Sequence, residues 1–228
     1  MKRIFIASTQ SEDWKRLLAD PEKHWRTGFS AKSLAHCWED TDNFPQEIAR
    51  LFAESNIPAF QNIEVLLILP EYKVPLPGGS TSPSQNDIFV LAKAQGQLIS
   101  ITVEGKVSEP FDLTLEKWSA KASKGKIRRL AFLKEQLGLS KDLPLHIRYQ
   151  LLHRTASAVI EAQRFNAKSA VMLVHSFSQS EEWLEDYQAF LNLFEVTAEP
   201  NQLVFVKRTQ GIDLYCGWAR GDAKYLKM

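Results

Sequence analysis

The sequence predicts an α/β domain with a mixed central sheet flanked by helices, and three observations predict it. Short β-branched, apolar runs at 63–69, 87–93, 98–107 and 169–175 alternate with helical patterns at 127–137, 145–165 and 181–194. Two of those runs are separated only by Gln95-Gly96, a two-residue turn that makes 87–107 a β-hairpin. Finally, 228 residues that are 44% hydrophobic suffice for one sizeable core, so a single domain is expected over 1–228. Its parts are an N-terminal helical segment (1–60), a core (61–177) and a C-terminal helix with a β-hairpin (178–228).

In chain order, Ile4-Phe5-Ile6-Ala7 reads as a short strand and 12–18 as a helix. Ser30 is placed to cap a helix over 31–39, and Pro45 opens another that runs to Glu54. The apolar run 63–69 is a buried strand stopped by Pro70. Residues 75–85 (PLPGGSTSPSQ) are loop by composition, with Gly78-Gly79 as its flexible point and no Gly-Lys-Ser/Thr to make a phosphate-binding loop. After Glu109-Pro110 ends the hairpin, the helix 127–137 stops at Gly138. The helix 145–165 carries Gln150, His153, Arg154, Ser157 and Glu161 on one polar stripe, which suits either solvent or a site. Residues 169–175 form another buried strand, and 203–208 with 212–218 close the chain as a hairpin.

Composition excludes several classes. A net charge of +1 gives no global field toward nucleic acid, so an anion-binding surface has to be local. Cys37 and Cys216 are far apart, with no ligand pair at zinc spacing, and read as buried reduced thiols. The N-terminal apolar run is too short for a signal peptide, and no stretch reaches the ~20 apolar residues of a membrane span, so a cytoplasmic protein without membrane contact is expected.

The hairpin concentrates the chemistry. A register pairing Ala94 with Gln97 sets Asp87 opposite Glu104, where like charges repel unless a cation lies between them. A three-residue loop would instead set Val103 there. On the second strand Ser100, Thr102, Glu104 and Lys106 share one face, while Ile99, Ile101, Val103 and Val107 share the other. Two carboxylates suit Mg²⁺, which keeps several waters, and Lys106 beside them would orient one. Glu71, following the neighbouring strand, offers a third carboxylate, and Arg154 could contact a phosphate. Lys121, Lys124, Lys126, Arg128 and Arg129 form a basic segment suited to a polyanion backbone, with Trp118 beside it. A solvated sheet face and a solvated basic helix are the alternatives for these two groups.

The order helix, strand, strand with Asp87, strand with Glu104-Gly105-Lys106, helix, strand resembles the PD-(D/E)XK, or restriction-endonuclease-like, nuclease core over roughly the middle two-thirds of the chain. The resemblance implies an αβββαβ core and Mg²⁺ (or Mn²⁺) held by Asp87, Glu104 and the Gly105 carbonyl. It also implies Lys106 as the residue that positions the attacking water, and Gln150 as the polar residue of the following helix. Asn86 rather than proline precedes Asp87, and Arg154 stands where a Gln-x-x-x-Tyr helix signature would put tyrosine. The implied function is phosphodiester hydrolysis, in DNA more than RNA. The alternative is an inactive nuclease-fold protein that binds nucleic acid or another partner. A homodimer is left open.

Overall fold

The computed structural model describes residues 4, 8, 10–78 and 83–228, so most of the strand expected at Ile4-Phe5-Ile6-Ala7, and Gly79 of the loop, lie outside the described residues. A 3-10 turn at Ser11–Leu17 stands where a helix is expected, followed by α1 (Pro21–His24), α2 (Ser30–Glu39) and α3 (Gln46–Glu54). Then come β1 (Glu64–Val74), β2 (Ser84–Ala94), β3 (Gln97–Lys106), α4 (Leu115–Ser119), α5 (Lys124–Leu137), α6 (Tyr149–Arg164), β4 (Ser169–Ser176), α7 (Leu184–Leu191), β5 (Gln202–Thr209) and β6 (Ile212–Arg220). The strands form one six-stranded mixed sheet in the order β1-β2-β3-β4-β6-β5, parallel across β3-β4-β6 and antiparallel elsewhere.

Strand periodicity sorts the core into two layers. Val171 and Leu173 of β4, with Ile99, Ile101 and Val103 of β3, pack on Leu34 and Trp38 of α2 and on Ile48 and Phe52 of α3. Ala170, Met172 and Val174 point the other way, into Leu133 of α5, Leu151 and Val159 of α6, and Phe190 of α7. Covered on both faces, β4 is buried along its whole length, which is why it reads as a continuous apolar run.

Several boundaries differ from expectation for local reasons. Pro70 does not stop β1: it pairs with Ile88 inside the strand, which is tolerated because β1 is an edge strand and its outer side needs no donor. The ladder of β1 also slips between Val65 and Leu67, and that of β5, the other edge, between Phe205 and Lys207. Ser30 is the first residue of α2 rather than its cap, and its N–H goes to Glu109 Oε1 at 3.0 Å. Residues 145–148 are not helical, since the carbonyls of Leu145 and Ile147 accept from Glu116 and Leu115. Positive φ at Glu181 and Trp183 delays α7 to Leu184. The hairpin turn is as expected: Gln95 and Gly96 both adopt left-handed conformations, φ 48° and 74°, the geometry that matches strand twist, and Ala94 pairs with Gln97.

Candidate functional site

Pro70 pairs with Ile88 and Tyr72 with Asn86, while Ile88 pairs with Val103. One step beyond Ile88, these registers set Glu71, Asp87 and Glu104 abreast on β1, β2 and β3. The polar face of β3 is not solvated but roofed by α6. Ser100 Oγ donates to the Ala158 carbonyl at 2.8 Å and Thr102 Oγ1 to the Arg154 carbonyl at 3.1 Å. Because Thr102 holds the backbone of Arg154 itself, the guanidinium is delivered onto the next residue of that face, Glu104.

Glu104 is 2% exposed, Lys106 3% and Arg154 7%, so the cluster is interior, not an open cleft. Lys106 Nζ donates to Glu104 Oε1 at 2.6 Å and Arg154 Nε to Oε2 at 2.6 Å. Arg154 Nη2 lies 3.9 Å from Asp87 Oδ1, and Asp87 Oδ2 accepts the Gly105 N–H at 2.8 Å. Glu71, held in a left-handed backbone conformation at φ 53°, accepts from Gln85 Nε2 at 2.6 Å. Behind the arginine, Nη1 is 3.3 Å from both Ser84 Oγ and His153 Nδ1. Arginine only donates, so His153 Nδ1 is an acceptor there and its proton sits on Nε2.

The electrostatics follow from burial. Loss of water, and then the charge of Glu104, push Asp87 up to about 7 against the opposing Arg154 and Lys106. Burial and the charge of Asp87 push Glu71 up to about 8. Burial also works against the charged form of Glu104, but the charges and hydrogen bonds of Arg154 and Lys106 outweigh it and hold that carboxyl below the usual range. Burial, then Arg154 and Arg129, hold His153 well below an ordinary imidazole. At neutral pH Glu104 is thus the one firmly ionised carboxylate of the row, and the buried charges of Lys106 and Arg154 already balance it. Asp87 and Glu104, the two carboxylates Arg154 spans, are the oxygen donors a hard divalent ion would have to use, and Lys106 and Arg154 occupy both oxygens of Glu104.

The other sequence candidates scatter. Gln150 Oε1 accepts the Asp112 N–H at 3.2 Å at the start of α6. Arg129 is not a surface cation: it is 7% exposed, and its guanidinium holds the carbonyls of Leu76, Pro77 and Gly78. Lys126 donates to the Trp118 carbonyl and lies 5.3 Å over the Trp118 ring, whose stacking partner is Tyr149 at 4.1 Å. Lys121, Lys124 and Arg128 are exposed. Glu161, in the polar stripe of α6, is buried and accepts from Tyr72 Oη at 3.1 Å, so that stripe faces protein rather than solvent.

Cys37 Sγ, a Glu47 oxygen and a His175 nitrogen lie within 4.8 Å of one another, the single such group of three among the described residues. No spacing in the sequence signals it, since the residues come from α2, α3 and β4. The Trp38 Nε1–H donates to His175 Nδ1 at 3.2 Å, so the imidazole proton sits on Nε2, which faces Glu47 at 2.8 Å. A metal needs that nitrogen bare and the other protonated toward an acceptor, and the indole donor forbids this. Burial raises the Cys37 thiol well above its ordinary value, so it stays protonated and inert. This group is a structural clamp between the helices and the sheet.

Fold and site together define an α/β protein in which a buried carboxylate row at the end of a β-meander is closed by an arginine from the helix above. Across residues 7–223 the chain matches the family described as "Domain of unknown function (DUF6946)", and it belongs to that family. Neither a curated protein nor a solved structure matches it. No helix among the described residues is long and apolar enough to cross a membrane.

Proposed function

We propose that the protein is a divalent-metal-dependent nuclease of the PD-(D/E)XK kind, hydrolysing phosphodiester bonds in DNA more than RNA. The observation that carries this reading is the abreast placement of Asp87 and Glu104 at the end of an antiparallel meander, with Lys106 beside them and a parallel strand next to β3. Mg²⁺ or Mn²⁺, held by Asp87 and Glu104 with the Gly105 carbonyl, would supply charge stabilisation and an acidified water. Lys106, whose Nζ is held on Glu104 Oε1, would place its charge beside that site and offset negative charge developing on the phosphate. Glu71, on the outer flank and held by Gln85, would add a further carboxyl beside the pair. Gln150, tied to the Asp112 backbone, positions the entry of α6 rather than a reactant. Lys121, Lys124 and Arg128 give the polyanion a basic approach.

A second reading has its own support: both Glu104 oxygens are already taken by buried cations, as in a nuclease fold that binds without cutting. One experiment separates the two. Single- and double-stranded DNA and RNA are incubated with the protein in Mg²⁺, Mn²⁺ and EDTA, alongside Asp87→Asn. Cutting that needs the metal and is lost in the variant supports the nuclease, whereas binding without cutting supports the second reading. Cutting that persists in EDTA or in Asp87→Asn refutes the assigned site.

A further inference from the structure

Charge is divided on one helical side of the sheet. Residues 117–134, which include the start of α5, carry seven Lys or Arg and no Asp or Glu, whereas residues 177–206, which include α7, carry six Asp or Glu and no Lys or Arg. Both helices bury their apolar faces in the same layer, α5 through Leu133 and Leu137 and α7 through Tyr187 and Phe190. The segments that follow them, 138–144 and 192–195, wall a common cavity of about 400 Å³, where Lys141 meets Glu195 at 3.4 Å. A basic and an acidic surface therefore lie side by side. Part of this charge is satisfied within the chain, since Asp186 is held by Arg148 at 2.9 Å and Glu181 by Arg220. Among the described residues, Lys117, Lys121, Lys124 and Arg128 are exposed without an ionic partner, and so are Glu182, Glu185 and Glu199.

The cations sit badly on their own helix. Lys124 and Lys126 fall in the first turn of α5, the positive end of the helix dipole, and no acid in that turn offsets them. Acids from outside relieve the repulsion. Between Lys124 and Arg128 stands Ile127, 63% exposed, which lines an apolar hollow with Leu130, Ala131 and Leu139. A bare anion has no use for that hollow, but a protein surface carrying acids around an apolar centre does. The outer stripe of α7 is such a surface, with half-buried Ala189 one turn from exposed Glu185. We propose that the chain forms a homodimer in which α5 of each copy lies on α7 of the other. A two-fold axis running between the two helices brings the basic surface of one copy onto the acidic surface of its partner twice over, so the contact is self-complementary. This pairing does not rest on the nuclease reading. The cations assigned to the polyanion are covered in the dimer, so nucleic acid and the second copy compete for them.

Sedimentation velocity on the full chain over a concentration series tests this. A dimer is expected at about 0.1 M salt, where charges act over about 10 Å, and its dissociation constant should rise about tenfold or more at about 1 M, where that reach falls to about 3 Å. Lys124→Glu/Arg128→Glu turns the basic surface acidic, and Glu182→Lys/Glu185→Lys turns the acidic surface basic, so each variant alone should be monomeric. Mixed in equal amounts, the two present opposite charges at both contacts and should dimerise again. The four side chains are exposed, so both variants should keep the wild-type circular dichroism spectrum. Should a double variant unfold, the single changes Lys124→Glu and Glu182→Lys carry the same mixing test. A dimer indifferent to salt or to both reversals, or a mixture that stays monomeric, overturns the pairing. A wild type that is monomeric at about 0.1 M salt, with duplex DNA binding lost in Lys124→Glu/Arg128→Glu, assigns the face to the polyanion alone and overturns it as well.

Discussion

Replacing Glu104 by glutamine tests whether the carboxylate row is strained or cemented. Considered as a bare cross-strand pair, Asp87 and Glu104 repel, and neutralising one should leave stability unchanged or raise it by roughly 0.2–1 kcal/mol. The structure reverses that sign. Glu104 accepts from two cations that are themselves buried, Lys106 and Arg154, each at 2.6 Å. A glutamine has one carbonyl oxygen to offer, and its amide group would point a donor at the other cation. Removing one partner of a buried ion pair costs about 3–5 kcal/mol. In a domain of this size each kcal/mol lowers the melting temperature by about 2–4 °C, so a loss of about 3–5 kcal/mol should bring Glu104→Gln about 6–20 °C below the wild type. Urea unfolding followed by circular dichroism, with calorimetric melts, gives the number. A variant that melts level with or above the wild type would refute the ion-pair argument and restore simple repulsion. The same melts with Mg²⁺ read the metal site: at about 100 times its dissociation constant the ion should add about 2.7 kcal/mol to the wild type, a gain Glu104→Gln should largely lose.

Two further outcomes are expected. His153 is held well below its ordinary value of 6.5. The unfolded chain therefore takes up a proton that the folded one refuses as pH falls below that value, and His153 contributes a loss of up to about 1.4 kcal/mol per pH unit until its folded-state value is reached, while Asp87 and Glu71, raised to about 7 and about 8, contribute in the opposite sense. His153→Gln, which can still accept from Arg154, lacks the His153 share, so its stability relative to the wild type should rise as pH falls from 7 to 5, and urea midpoints running parallel in both proteins over that range would count against it. In the basic segment, Lys121, Lys124 and Arg128 are exposed while Arg129 holds loop carbonyls. Changing the first three to glutamine should lower the salt slope of DNA binding by about 0.9 for each phosphate that is no longer neutralised. Arg129→Gln should instead lower the melting temperature with little change in slope, and fluorescence anisotropy across a salt series distinguishes the two.

The hairpin was legible because its information is local. A two-residue turn sets a register, and the register sets which residues face each other, so the facing of Asp87 and Glu104 follows from the sequence around Gln95-Gly96. What overlies that face was not legible, because the period of α6 shows that Arg154 and Glu161 share a stripe but not what the stripe meets. The hydroxyls of Ser100 and Thr102 decide it, and a small polar residue in a strand reads equally well as solvent-facing. Arg129 was misplaced for the same reason: its partners are carbonyls of the loop before β2, and a backbone acceptor leaves no mark in composition. The cluster of Cys37, Glu47 and His175 lies furthest from sequence reach, since its members come together only when α2 and α3 pack onto the sheet.

The irregular outer strands bear on how two copies of this protein could meet. Pro70 offers no N–H, and the slip between Val65 and Leu67 throws the remaining donors of β1 out of step. On the opposite border, the slip between Phe205 and Lys207 does the same to β5. An incoming strand would meet the Ile4–Ile68 bridge and the missing donor of Pro70 at the β1 border, and a slip midway along β5 at the other. Both borders therefore discourage continuation of the sheet from one molecule into the next.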